Sequence, residues 1–245
     1  DQFKALAAGI TAVAGGIGRA GFGVEALSAV RGPAILGAGA TAVLVYAIGS
    51  LGRGGATPLK LALAGAATAI AVSSLTVAIL LPRADIAGGV QSWQIGGVGG
   101  ATPEAITAML PFLAAGFALS LLSARNLNML ALGDDTAAGF GVPVALTRLI
   151  AATGAVLLCG ATTAICGPIG FVGLVVPHLC RLLVGVDHRW LLPFSALAGA
   201  VLLLLSDVLG RILARPAELD VGIITAFVGA PAFIWIVRRR RIREL

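Results

Sequence analysis

Apolar residues run along this chain in long unbroken blocks, with neither the alternation of a half-buried strand nor the single stripe of a surface helix. Gly32 to Gly52 and Leu61 to Leu81 carry no charge at all, and each is near the ~20 residues that a helix needs to cross a bilayer core. Ala105 to Ala124, Leu149 to Cys166, Ile169 to Val184, Leu191 to about Leu209 and Val221 to Val237 repeat the pattern. Ala5 to Gly18 is apolar but short and Gly-rich. The pattern predicts an all-α, polytopic integral membrane bundle of eight spans in a single domain, residues 1–245.

The intervals between blocks are distinct. Arg53 and Lys60 flank a Gly-rich turn containing Pro58. Pro82 to Pro103, with GGVQSWQIGGVGGATP, is too polar for a span and reads as an external loop with a short re-entrant or surface helix; Trp93 and Trp235 suit the membrane interface. Arg125 to Arg148 is the longest polar interval. Gly167 to Arg181, GPIGFVGLVVPHLCR, is apolar yet punctuated by Pro168 and Pro177. Proline removes a backbone donor, and irregular backbone at membrane depth requires surrounding protein or a water-filled cavity. This stretch is therefore expected inside the bundle, with Gly170 and Gly173 as close-packing positions first and pore-lining ones second.

Composition narrows the class. Hydrophobic residues make up 58% and charged residues 11%, with a mean hydropathy of +1.02, against roughly 25% charged in a soluble domain. The 34 glycines suit helices that approach closely in lipid. The net charge of +6 does not indicate nucleic acid, because five of the 17 basic residues, Arg238 to Arg241 and Arg243, follow the last apolar block and read as an anchor facing anionic lipid. Placing the C-terminus in the cytoplasm puts twelve basic residues inside and five outside, as the positive-inside rule expects. Cys159, Cys166 and Cys180 lack CxxC spacing and are expected as buried thiols acting as small hydrophobes. The start, DQFK, has no basic segment of a cleavable signal peptide.

Candidate chemistry is sparse. No carboxylate falls in the middle of a span, which weakens an ion-coupled carrier. No GxxxxGK[ST] is present, so no ATP site is expected on this chain. Asp207 and Arg211 are four apart on one helix and suit an ion pair at the membrane boundary. His178 reads as a satisfied interfacial histidine, and His188 with Arg189 as a headgroup or partner contact; no metal site is expected. In Asn126 to Val142, NLNMLALGDDTAAGFGV, Gly133 ends one segment, Asp134 and Asp135 suit a helix N-terminus, and Gly139 or Gly141 supplies a stop. This interval reads either as an ordinary capped loop helix or as a short amphipathic helix offering Met129, Leu130, Leu132 and Phe140 to a partner.

LALGDDTAAGFGV, together with GPIGFVGLVVPHLCRLLVGVDHRWLLPFSALAGAVLLLLSDVLGRILARPAELDVGIITAFVGAPAFIWIVRRR, closely resembles the permease of FecCD-type ABC importers, which take up ferric siderophores, haem or cobalamin. The matching blocks occur in order over about the last 120 residues. The resemblance implies ten spans per subunit, so the first two family helices and docking arginines near the second are expected to be missing from this stretch. It implies a homodimer or pseudo-dimer around a central path. It makes Leu130 to Gly141, including Leu132, Gly133, Asp134, Asp135 and Ala137, the coupling segment on cytoplasmic ATPase subunits. ATP and Mg would be bound there and not by this chain. Gly167, Pro168, Gly170, Gly173 and Pro177 become candidates for the path or its packing. Arg211, with Arg215 nearby, becomes a docking site for an extracytoplasmic substrate-binding protein, and the membrane is the bacterial or archaeal inner one. The rival readings are an ion-coupled secondary carrier and a non-transporting scaffold.

Overall fold

The computed structural model describes residues 37, 39–50, 58–82, 93–214 and 219–241. The expected first span, Ala5 to Gly18, and Arg215 lie outside them. The helices, in chain order, are α1 (Gly39–Ser50), α2 (Pro58–Leu80), α3 (Pro103–Leu130), α4 (Asp134–Gly139), α5 (Val144–Cys166), α6 (Val172–Val184), α7 (His188–Leu213) and α8 (Val221–Arg241). Four of the described helices, α2, α3, α5 and α7, are long and apolar enough to cross a membrane.

Helix ends differ from the sequence reading in ways that local chemistry explains. Pro58 and Pro103 do not lie in loops; each is the first residue of a helix, where its missing N–H costs nothing and its fixed φ is already helical. Thr102 caps α3 by accepting a hydrogen bond from the Ala105 amide, 3.3 Å. At its other end α3 runs past Ala124 to Leu130, because nothing from Arg125 to Met129 breaks a helix. α5 begins at Val144, not Leu149, directly after Pro143.

The largest correction concerns Ile169 to Val184, which is not one spanning helix. Gly167 has φ 70° and Phe171 φ 65°, left-handed values that stop helical propagation, so α6 starts only at Val172 and has 13 residues. That length is about 20 Å at 1.5 Å per residue, short of a ~30 Å hydrocarbon core. Pro177 lies inside α6 without ending it.

The chain divides into two compact units. The first gathers α1 and α2 with residues 102–113 and 156–164; the second gathers residues 93–101, 114–155 and the chain from 165 onward. Within the first, the buried residues are mostly small: Ala64, Thr68, Ala105, Ala161 and Ala164, with Met109. Such residues let helices pack where lipid removes the hydrophobic driving force. Within the second, α6, α7 and α8 pack on one another, and Val176, Cys180 and Leu191 form a core flanked by Val172, Ala198 and Leu202. Gly154 lies against Ser120, whose Oγ donates to the Gly116 carbonyl at 2.8 Å. Cys180 is buried as expected, but Cys159 is exposed, on a face of α5 that no described residue covers.

Candidate functional site

Two constructions within the second unit could carry function, one at each end of its helices. The first is the turn between α3 and α5. Leu130 is the last residue of α3, and the amides of Leu132 and Gly133 donate to the Met129 and Leu130 carbonyls at 3.0 and 3.1 Å. Gly133 has φ 109°, which admits glycine readily and other residues poorly, and its carbonyl accepts the Ala137 amide at 3.0 Å to open α4. Asp134 and Asp135 occupy the first turn of α4. Gly141, φ 78°, follows its end. The expected helix over Leu130 to Gly141 is thus six residues, Asp134–Gly139, flanked by glycine turns.

The chemistry of α4 divides by burial. Ala137 is 0% exposed and seats the helix, whereas Leu132 and Phe140 are 64% and 70% exposed. Arg148 Nη2 donates to both carboxylate oxygens of Asp134 at 2.8 Å. With side chains 63% and 50% exposed, this pair is worth about 0–1 kcal/mol. α4 is accordingly seated by Ala137 and its backbone turns, and presents apolar groups outward.

Beside this turn lies a cluster that the sequence did not reveal. Asp187 is the N-cap of α7, its Oδ1 accepting the Arg189 amide at 3.0 Å. Asn128, in the last turn of α3, donates from Nδ2 to the same Oδ1 at 2.6 Å. Its own Oδ1 accepts the His188 backbone amide at 2.9 Å and lies 2.6 Å from His188 Nδ1. The Arg189 amide, then the Asn128 amide, hold the Asp187 carboxyl below the usual carboxylate range. His188, expected as a headgroup or partner contact, is engaged with Asn128. The Asp187 cap could be read from the sequence; Asn128, some 60 residues away, could not.

The second construction is made of backbone. Three stretches, 93–101 (helical over 93–95), 167–171 and 219–220, meet the end of α5 and the start of α8 through hydrogen bonds from Gly97 N to Cys166 O at 2.9 Å and from Gly222 N to Gly96 O at 3.0 Å. A Cβ on Gly167 would collide with the Trp93 carbonyl oxygen, and one on Gly222 with the Ile95 carbonyl oxygen. The segment expected as an external loop is thus packed against two helix ends. Pro168 is exposed beside it. Gly170 and Gly173 have nothing within 4 Å of an added Cβ, so neither is a close-packing position within this chain.

Charge gathers at the same end. Arg211 Nε donates to Asp207 Oδ2 at 2.9 Å, which is the expected i, i+4 pair. Cβ atoms on Gly99 and Gly97 would stand 3.3 Å from Arg211 Nη2 and 2.9 Å from Asp220 Oδ1, so the loop's lack of side chains makes room for both charged groups. Next to them an open apolar hollow of about 610 Å³ is lined by Ile95, Gly222, Ile223, Ala226, Phe227 and Pro231. Among the described residues no three His, Cys, Asp or Glu side chains come together.

Comparison with known proteins bears on both ends. The chain is 41% identical over 216 residues to the "Probable siderophore transport system permease protein YfiZ" of Bacillus subtilis, covering 88% of this chain and 65% of that protein. It is 42% identical over 225 residues to the ferric enterobactin transport system permease protein FepD of Escherichia coli, covering 91% and 67%. The chain therefore spans about two thirds of the length of these relatives. Among solved structures, an ABC transporter of metal-chelate type in an inward-facing conformation superposes with a TM-score of 0.75 at 32% identity, over 95% of this chain and 75% of that one. The fold is thus shared with that transporter, and with residues 3–239 matched by the family's model, the chain belongs to the FecCD transport family.

Proposed function

We propose that this chain is a transmembrane permease subunit of an ATP-binding-cassette importer for a ferric siderophore or a related iron chelate, haem or cobalamin. The observation that carries the reading is the turn around α4, in which Leu132 before the helix and Phe140 at its end are exposed, at the end of two long apolar helices. Exposed apolar groups flanking a short, seated helix suit a protein partner, and the partner chemistry is that of a cytoplasmic ATPase pair. ATP and Mg belong to that pair; this chain binds neither. A second permease subunit, identical or related, completes the path. Residues 126–142 act as the coupling segment, with Leu130, Leu132, Gly133, Asp134, Asp135, Ala137 and Gly141 as its parts, within a single domain whose C-terminus faces the cytoplasm of the inner membrane.

At the other end, Arg211, and with it Arg215, docks an extracytoplasmic substrate-binding protein through carboxylates on that partner. The exposed Pro168, Gly170 and Gly173 border the path, while Gly167 and Pro177 shape the backbone beside it. A smooth wall poor in side chains lets a bulky chelate pass without tight binding, and alternation between the two faces follows partner-driven helix movement.

The test uses Phe140→Asp, a change at an exposed position that leaves the seating of α4 intact. Purified from its native membrane in mild detergent, the parent should carry stoichiometric ATPase, and the variant should lose most of it. Full retention of the ATPase by Phe140→Asp and Leu132→Asp would refute the docking role of α4. Uptake driven by an ion gradient in vesicles without nucleotide would favour a secondary carrier instead.

A further inference from the structure

We infer that Asn128 is a positioning residue that links the α4 turn to α7, so that movement of the turn is transmitted to the helix carrying Arg211 at its far end. The inference rests on the importer reading and extends it to a side chain for which that reading states no role of its own.

Three observations converge on this side chain. A helix leaves its first amides without intrahelical partners, and in α7 two of these are met at one node. The Arg189 amide goes to Asp187 Oδ1, and the His188 amide to Asn128 Oδ1, on a different helix. The Asn128 Nδ2 donates to Asp187 Oδ1 at 2.6 Å, so the cap itself is held by α3. His188 Nδ1, 2.6 Å from Asn128 Oδ1, adds a further bond in the tautomer that carries its proton there. Pro193, inside α7, has no N–H to offer the Arg189 carbonyl four residues earlier, so the first turn of α7 depends more heavily on this external cap.

Position gives the cap its consequence. Asn128 lies two residues before the end of α3, at the root of the Gly133 turn. Two residues earlier, Asn126 Nδ2 donates to Thr147 Oγ1 at 3.3 Å, and Thr147 is 1% exposed. The base of the turn is thereby fastened to α5 through Asn126 and to α7 through Asn128. α7 runs for 26 residues, roughly 39 Å at 1.5 Å per residue, and carries Asp207 and Arg211 in its last two turns. It packs against α6 and α8 on the way. A displacement at the turn therefore reaches α7 through hydrogen bonds that do not depend on apolar sliding, and α7 carries it toward the opposite end.

The test is hydrogen–deuterium exchange on the intact permease–ATPase complex, comparing nucleotide-free protein with protein trapped by ATP and vanadate. In the parent, trapping should alter exchange both at residues 134–139 and at residues 188–191. Asn128→Ala should keep the response at 134–139 and lose that at 188–191. A paired exchange provides the rescue. Asn128→Asp alone sets two carboxylates against each other, whereas Asn128→Asp with Asp187→Asn lets a carboxylate at position 128 accept the His188 amide and an amide donor from position 187. The pair should restore the response at 188–191.

A parent without any response at 134–139 would sink the coupling role of α4, and this linkage with it. A normal response at 134–139 in Asn128→Ala, with 188–191 still responding, would overturn the linkage alone. Loss at both segments without rescue by the paired exchange would make Asn128 a folding residue and would likewise overturn it.

Discussion

At the scale of single residues, identical substitutions should have opposite effects according to what lies in front of the glycine. An added methyl on Gly222 meets the Ile95 carbonyl oxygen, a backbone atom that cannot swing aside, and the Gly222 amide is itself bonded to Gly96. Gly222→Ala should destabilise by about 1–3 kcal/mol, the usual range for overpacking. Gly173, in α6, has open space before it, and alanine is preferred over glycine in a helix by about 1 kcal/mol. Gly173→Ala should therefore melt no lower than the parent in detergent, and if the residue borders the path it should still slow uptake. Equal melting temperatures for Gly222→Ala and the parent would show that these backbones do not approach closely. Reduced stability in Gly173→Ala would mean that a partner surface packs against it.

At the scale of elements, the α7 cap makes a pH-dependent contribution whose sign follows from its hydrogen bonds. The Asp187 carboxylate is stabilised by the Arg189 and Asn128 donors, which lower its pKa. A group lowered on folding adds stability that is fully present above its unfolded pKa and is lost as pH falls through the folded value. The α7 cap should therefore be intact at neutral pH and weaken only below the ordinary carboxylate range. Asp187→Asn retains an acceptor for the Arg189 amide, so the variant should still fold but show a shallower loss of stability on acidification. Thermal melts of both proteins from neutral to acid pH would check this, and parallel curves would remove Asp187 from the acid response. Elements also mark how much the sequence disclosed. The four long helices and the capped turn around Asp134 were visible as long apolar blocks and as a Gly-Asp-Asp start. The interruption before α6 was visible as punctuation, but its extent was not: Phe171 is left-handed without being glycine, and its side chain lies against Gly229, far away in the sequence. Asn128 was hidden for the same reason, since a polar residue in a polar interval gives no sign of a partner 60 positions on.

At the scale of the whole molecule, hydrogen bonds between distant segments settle which ends lie together in the second unit. Asn128 joins the end of α3 to the start of α7, while Gly97 and Gly222 join the 93–101 loop to the end of α5 and the start of α8. Arg125, Arg148, Arg181 and Arg189 collect at the first of these ends and Arg211 at the second; α8 finishes with Arg238 to Arg241. By the positive-inside rule this bias makes the first end the one expected in the cytoplasm. α3 has 28 residues, about 42 Å, more than a ~30 Å core, and its polar residues Arg125, Asn126 and Asn128 fall in the last turns, past the hydrocarbon. On that expectation Thr136 and Gly100, both exposed, should stand on opposite faces of the membrane. In a background with Cys159, Cys166 and Cys180 replaced, Gly100→Cys should react with an impermeant maleimide in cells whose outer barrier alone is opened. Thr136→Cys should react only after the inner membrane is breached. Labelling of both from one side would mean that α3 does not cross. The reverse pattern would place α4 outside, where no ATPase could reach it, and the importer reading would fall with the orientation.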